Sequence, residues 1–317
     1  MPLVSIIAKL NDKAIYVGQT ASLEEKICKK NNISFIGYPN NSNRFIGIIN
    51  GYKYISKKLK SYKINAVIAS GGYVSVPLCL YAIIHKIPLF LIEENLVLGS
   101  TNKLFYPFCK RIFLAYNIDN IKKKRMIVGM PIRKMVIDNY KETYDILVIG
   151  GSLGSKVLCD AAVSLSKKYK VCLIAGNYYD RYSSNDNLNV IEFSNNIYTL
   201  MKKAKLIIAR AGASTTAEIF YINKPFICIP SMKTKGNHQY YNAKYFADLN
   251  ACILCLEKDI NKDLCSLVDN TINNEHIKAN MLIAQEKLVN LNTIELIIKE
   301  IKESIKWNLM NMSLTII

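Results

Sequence analysis

Short runs of aliphatic and β-branched residues alternate along the whole chain with longer stretches in which apolar side chains recur every three or four positions. A run of four to six apolar residues closed by glycine, serine or proline reads as a strand buried on both faces, and the 3.6-residue period reads as a helix laid over it. The predicted strands of a first half are KAIYVG (13–18), ISFIGY (33–38), NAVIAS (65–70), PLFLIEE (88–94) and RIFLAY (111–116). Those of a second half are DILVIGG (145–151), KVCLIAG (170–176), LNVIEF (188–193), KLIIAR (205–210) and PFICIP (225–230). Such alternation builds parallel sheets with helices on both faces, an α/β class. Between the halves, Asn120 to Tyr144 is highly charged, with one apolar island at Met126 to Pro131, and Asp145 starts a fresh βαβ pattern. The expected division is 1–132 and 133–299, with a terminal helical segment near 300–317 able to pack back on the first domain. Two facing domains would put the C-terminal ends of both sheets across one cleft, where open α/β sheets bind ligands.

Val67 to Ile84 carries no formal charge and is long enough to raise the question of a membrane span. Ser70, Gly71, Gly72, Ser75 and Pro77 divide it instead into a strand, a glycine turn and a helix starting near Pro77, where proline suits the first turn. The formal charge is +18, from 42 basic and 24 acidic residues, which favours an anionic partner: nucleic acid, a membrane surface or a phosphorylated substrate. Lysine, asparagine and isoleucine abound throughout, so compositional bias accounts for the excess equally well. Nine cysteines scattered through apolar segments read as reduced thiols rather than a disulfide framework. Cys252 and Cys255, a lone CxxC inside ACILCL, read as core filler and not as a metal or redox site. Nothing at the N-terminus has the regions of a signal peptide.

Chemistry concentrates where strands end. DILVIGGSLGS (145–155) breaks from a strand into glycine and serine and then opens a helix, an arrangement that offers peptide N–H groups and a helix N-terminus to a diphosphate. Gly150, Gly151 and Gly154 are expected to let the backbone approach the phosphates. A strand-to-helix turn without a ligand has the same local pattern. A second constellation, ARAGASTTAE (209–218), puts Glu218 one turn inside a helix, where its carboxylate could accept two hydrogen bonds from a ribose; a capping box formed by Thr215 and Glu218 fits the spacing equally. In KTKGNHQYYNAKYF (233–246), His238, Gln239 and Asn242 stand at helical spacing and could read sugar hydroxyls, or be an ordinary polar face. SGGYVSVP (70–77) and EENLVLGSTNK (93–103) also follow predicted strands. A dehydrogenase is disfavoured, because the glycine turn lacks GxGxxG and the next strand ends in LIAGN without an acid.

GGYVSVP, IEENLVLGSTNK, VGMPIRK, GGSLGS, RAGASTTAE and HQYYNA occur in the order, and near the spacing, found in the MurG family, which the chain resembles from about Met1 to Ile260. These are inverting transferases that move GlcNAc from UDP-GlcNAc to the 4-hydroxyl of MurNAc in undecaprenyl-diphosphate-MurNAc-pentapeptide, converting lipid I to lipid II in peptidoglycan synthesis. The resemblance implies a GT-B fold of two Rossmann-like domains, no cofactor and no metal, and no nucleic-acid partner. It implies that GGSLGS with Ser152 binds the UDP diphosphate, that Arg210 and the backbone near Ser194 face the uracil, and that Glu218 holds the ribose. Gln239, Asn242 and His238 match the segment contacting the GlcNAc hydroxyls, Asn95 matches an asparagine beside the sugar, and Arg133 an arginine near the donor at the hinge.

Two departures stand out. Where the family reads HEQN, this chain reads Ile92, Glu93, Glu94, Asn95. The family also opens with a strand and a GGTGGH loop, whereas Met1-Pro2-Leu3 aligns with the segment immediately after that loop; the expectation is either a start further upstream or an N-terminal domain truncated by one strand. With the loop histidine absent, Glu93 is the candidate general base. The acceptor is a bilayer lipid, so a peripheral position on the cytoplasmic face of the cell membrane is expected. Phe45 to Lys63, mixing Ile46, Ile48, Ile49, Tyr52 and Ile55 with Lys53, Lys57, Lys58, Lys60 and Lys63, suits a helix on an anionic membrane surface, although a helix packed on its own sheet has the same periodicity. Alternative readings are another GT-B glycolipid glycosyltransferase and a non-catalytic nucleotide-sugar-binding protein.

Overall fold

The computed structural model describes residues 2–10, 14–132, 140–151, 153–194, 196–305 and 313–316. The chain forms two compact units, Met1–Arg133 together with Asn290–Ile317, and Lys134–Val289. The return to the first unit thus begins at Asn290, ahead of the expected position near residue 300.

The first unit runs α1 (Pro2–Leu10), β1 (Ala14–Gln19), α2 (Leu23–Lys30), β2 (Phe35–Tyr38), α3 (Arg44–Leu59), β3 (Ile64–Ala69), α4 (Val76–Ile84), β4 (Leu89–Glu93), α5 (Ser100–Phe105), β5 (Arg111–Leu114) and β6 (Arg125–Ile127). The second runs β7 (Tyr144–Ile149), α6 (Lys156–Leu165), β8 (Val171–Ile174), β9 (Leu188–Ile191), α7 (Ile197–Lys202), β10 (Ala204–Ala209), α8 (Ala213–Ile222), β11 (Phe226–Cys228), α9 (His238–Asp248), β12 (Ile253–Leu254), α10 (Ile260–Asn273) and α11 (Glu275–Glu286). α12 (Thr293–Ser304) and β13 (Ser313–Ile316) complete the first unit.

In the first unit the strands are parallel in the order β2-β1-β13-β3-β4-β5-β6. Their period-2 alternation divides two buried layers. Val17, Val67, Ala69, Leu89, Leu91 and Ile112 face a core completed by Ile55 and Leu59 of α3 and Leu78 of α4. Tyr16, Ala66, Ile68, Phe90, Ile92 and Phe113 face the other, completed by Leu3 and Ile6 of α1 and Ile297 and Ile301 of α12. Burial on both faces is why these strands read as continuous apolar runs.

The central position of this sheet lies between β1 and β3. β13 occupies it: Thr315 is in register with Ile15 on one side and Val67 on the other, with an irregularity between Ser313 and Thr315. The physical reason is the demand of buried strands for partners, since β1 and β3 would otherwise each present a row of unmatched N–H and C=O groups to the core.

The second sheet is also parallel, in the order β12-β11-β10-β7-β8-β9. Strand order reverses between β7 and β10, so the loops leaving those two strands open side by side at the carboxyl edge. One face of this sheet packs on Leu158 and Ala162 of α6 and on Leu264 and Val268 of α10. Elsewhere in the unit Phe220, Phe226 and Phe246 meet edge to face. Eight of the nine cysteines are buried free thiols, Cys252 and Cys255 among them, and Cys265 is exposed.

Candidate functional site

At the β7/β10 reversal a cavity of about 270 Å³ is walled by Gly150, Gly151, Leu153 and Gly154 from the loop after β7, by Arg210, Gly212 and Thr215 from the loop and helix after β10, and by Gln239 of α9. Ser152 lies outside the described residues. The three glycines of the loop have different duties. A Cβ on Gly154 would stand 2.1 Å from the Ala175 carbonyl oxygen, and one on Gly150 would stand 2.6 Å from the Ser155 nitrogen, so both are demanded by the protein's own backbone. This corrects the expectation that all three clear a path for phosphate. Only Gly151, at φ +87° with nothing within 4 Å of its would-be Cβ, leaves open space, and its left-handed conformation independently favours glycine.

Two helix N-termini border this cavity. Ser155 caps α6, its hydroxyl accepting from the Leu158 N–H. α8 begins after Gly212 with no side-chain cap among the described residues, and its N-terminus opens on the same cavity, where a helix dipole favours an anion. With Gly212 as the cap, Thr215 sits inside the helix, which removes the capping-box reading of Thr215 and Glu218.

Arg210 lies in the cavity wall, but its guanidinium is committed. It pairs with Glu257 at 2.6 Å, donates to Ser155 Oγ at 2.7 Å and to the Ile229 carbonyl at 3.2 Å, with the side chain only 12% exposed. It therefore ties the α6 cap to the segment ahead of α10, an arrangement different from a side chain offered to a uracil. Ser194, after β9, accepts from the Asn196 N–H and is not in the cavity wall. Glu218 stands one turn deeper in α8, where the Tyr198 hydroxyl donates to it at 3.3 Å. Burial raises its carboxyl above the ordinary range, and the Tyr198 hydrogen bond opposes the shift. Gln239 accepts from the Ser231 N–H at 2.9 Å, which orients its amide in the wall. Asn242, fully buried, donates to the Ala211 carbonyl and so fastens α9 to the loop after β10 rather than facing the cavity. His238 is the first residue of α9 and is likewise absent from the wall.

In the first unit, Glu93 ends β4 and is 3% exposed. Its carboxylate accepts from the Asn95 N–H and side-chain amide at 3.1 and 3.2 Å, from the Gly99 N–H at 2.8 Å and from the Asn102 amide at 2.9 Å. Four donors on its two buried oxygens organise loop 94–99. Asn95 is held by this carboxylate, and Arg133 lies outside the described residues. Sequence reasoning missed Tyr198 and Glu257, neither of which carries a local motif. Ser155 was within sight, because serine ahead of a helical run is a capping signal.

The family comparisons agree along the chain's length. Residues 1–114 match the glycosyltransferase family 28 N-terminal domain and residues 145–301 the family 28 C-terminal domain. A protein of Sulfurihydrogenibium sp. (strain YO3AOP1) named UDP-N-acetylglucosamine--N-acetylmuramyl-(pentapeptide) pyrophosphoryl-undecaprenol N-acetylglucosamine transferase is 32% identical over 289 residues, covering 83% of each chain. One of the same name from Pelagibacter ubique (strain HTCC1062) is 34% identical over 73% of this chain and 70% of its own. The crystal structure of Acinetobacter baumannii MurG superposes with a TM-score of 0.77 over 95% of both chains at 22% identity, and the calicheamicin glycosyltransferase CalG4 with 0.73 over 96% and 94% at 10%, likenesses of fold. A glycine loop and the start of α8 on one cavity, in two parallel-sheet units that match both family 28 domains, identify a GT-B hexosyltransferase: the chain belongs to the MurG family of glycosyltransferase family 28.

Proposed function

We propose that the protein transfers N-acetylglucosamine from UDP-GlcNAc to the 4-hydroxyl of MurNAc in undecaprenyl-diphosphate-MurNAc-pentapeptide, with inversion at the anomeric carbon. The observation that carries this reading is the convergence of loop 150–155 and the start of α8 on one cavity. Negative charge develops on the β-phosphate as the glycosidic bond to UDP breaks. Fixed N–H dipoles there stabilise that charge without reorganising, the largest kind of contribution an enzyme makes to such a step. Ser155, locked by Arg210 and Glu257, keeps the α6 cap and the loop rigid. Glu218 with Tyr198 supplies acceptors for the ribose hydroxyls, and Gln239 reads the sugar from the cavity wall. Glu93 acts by holding loop 94–99, and Asn95 with it, on the acceptor-binding unit.

The acceptor's lipid requires a surface-bound enzyme. Among the described residues no helix is long and apolar enough to cross a membrane. α3 instead presents Phe45, Ile46 and Ile49 to solvent, 81, 48 and 54% exposed, beside exposed Lys53, Lys57 and Lys58. Ile55, expected on that outer face, is buried in the core together with Gly47, Gly51 and Leu59, so the lipid-facing stripe is the first turns of the helix. Apolar residues ringed by lysine suit insertion into an anionic leaflet.

Calorimetry with UDP tests the donor side. Binding is expected in the wild type and is expected to weaken about tenfold or more in Glu218→Gln, the loss of a charged acceptor being worth about 1.5–3 kcal/mol. A folded protein giving no heat with UDP would overturn the reading.

A further inference from the structure

A second cavity, of about 640 Å³, lies in the same unit at the opposite, amino edge of the sheet, around the starts of β7, β10 and β11. Its walls carry Lys202, Lys205, Lys224 and Lys278 against the two carboxylates of Glu142 and Glu275. Lys205 is taken up by Asp145 at 2.8 Å. Lys224 pairs with Glu142 at 2.6 Å, and Lys278 with Glu275 at 2.5 Å while also donating to the Ile272 carbonyl at 2.9 Å. The Lys224 and Lys278 side chains are only 13 and 22% exposed, yet their partners Glu142 and Glu275 are 44 and 88% exposed. Lys202 has no ion pair among the described residues. Burial, and then the neighbouring Lys224, hold its ammonium below the usual lysine range. An anion that displaces these carboxylates must itself pair with the largely buried ammonium groups, since leaving either without a partner is strongly unfavourable.

A second, independent feature points to a ligand. Asn223, in the left-handed conformation between α8 and β11, lines the cavity, and its amide nitrogen is used by Glu286 at 2.9 Å. Its Oδ1 is buried with no hydrogen-bond partner among the described residues. A buried acceptor left unmatched is unfavourable, and buried acceptors are nearly always matched by a donor. A ligand that satisfies this wall brings negative charge for Lys202, Lys224 and Lys278, and a hydroxyl that Asn223 Oδ1, sealed from solvent as the side chain stands, accepts once the amide turns toward it. The volume lies within the range of small-molecule sites.

We propose that this cavity is a second binding site, separate from the nucleotide cavity, for a phosphorylated, hydroxyl-bearing small molecule of the sugar-phosphate class. Its phosphate bridges Lys202, Lys224 and Lys278 in place of the exposed glutamates, and a hydroxyl donates to Asn223. Nothing in this assignment depends on the transferase reading.

The test is lysine acylation of the full-length protein by an amine-reactive ester, read residue by residue by mass spectrometry with and without glucose 1-phosphate. Lys202 and Lys224 are expected to be protected about tenfold at saturation, a change a ligand occupying nine-tenths or more of the sites produces, while exposed Lys58 on α3 is unchanged. Lys202→Gln should abolish protection of Lys224, Lys202→Arg should retain it, and Asn223→Ala should weaken glucose 1-phosphate but not inorganic phosphate. Thermal melting of each variant separates loss of the site from loss of the fold. Equal labelling with and without glucose 1-phosphate in folded wild-type protein would overturn the proposal, as would protection of Lys224 that survives Lys202→Gln.

Discussion

At the scale of single residues, the three glycines of loop 150–154 look alike in sequence and differ in consequence. Gly154→Ala places a methyl group against the Ala175 carbonyl at a φ of +77°, where both the space and the conformation are refused. Urea unfolding is expected to show a loss of about 2–4 kcal/mol, the range of overpacking added to strain. Gly151→Ala meets no atom, so it should lose only about 1–2 kcal/mol from its left-handed backbone, while UDP affinity falls because the methyl group points into open cavity. Glu218 gives a pH signature. Burial raises its folded pKa above the unfolded value, so the folded state binds the extra proton and stability falls as pH rises through the window just above 4.5. Glu218→Gln is therefore expected to be more stable than wild type at neutral pH, with the gain vanishing below the unfolded carboxyl range, and to bind UDP less well. A Glu218→Gln protein less stable than wild type at pH 7 would contradict the burial argument.

At the scale of elements, strands were legible because each is a short apolar run buried on both faces and closed by glycine, proline or serine, as in Ile146–Gly151 and Phe226–Pro230. β13 was not. A parallel strand's position in the sheet is fixed by pairing with distant segments, and nothing within SLTI says that it lies between Ala14–Gln19 and Ile64–Ala69. The same limit hid Glu257 from Arg210 and Tyr198 from Glu218, since an ion pair or hydrogen bond between distant segments leaves no spacing in the chain. The glycine loop and the α8 turn, by contrast, were visible because strand, small residues and helix are contiguous. Thr315→Pro tests the central strand. It removes the N–H of a residue in register on both sides, and proline in a sheet interior is scarcely tolerated, so unfolding of the first unit should shift by about 1–3 kcal/mol, the cost of a buried polar group left unmatched. An unchanged transition would show that β13 contributes nothing to this sheet.

At the scale of the whole molecule, a basic chain with two Rossmann-like units combines a nucleotide-binding sheet with a unit whose α3 exposes aromatic and aliphatic side chains among lysines. Phe45→Ser with Ile49→Ser should leave thermal stability unaltered, because both side chains already face water. It should reduce binding to vesicles containing anionic lipid by more than about tenfold, given about 1.5–3 kcal/mol for burying each large apolar side chain. Raised salt should weaken wild-type binding further, by screening the lysines. Co-sedimentation with vesicles of graded phosphatidylglycerol content reads both effects.

The most direct measurement is transfer itself: purified full-length protein, UDP-GlcNAc labelled in the sugar, and undecaprenyl-diphosphate-MurNAc-pentapeptide in lipid vesicles, with label followed into the lipid phase and UDP release counted in parallel. Label should enter the lipid in step with UDP released, and both should fall together in Glu218→Gln and Gly151→Ala. A folded protein that binds UDP-GlcNAc yet moves no label into this lipid, or moves it equally well into a diacylglycerol acceptor, would contradict the assignment.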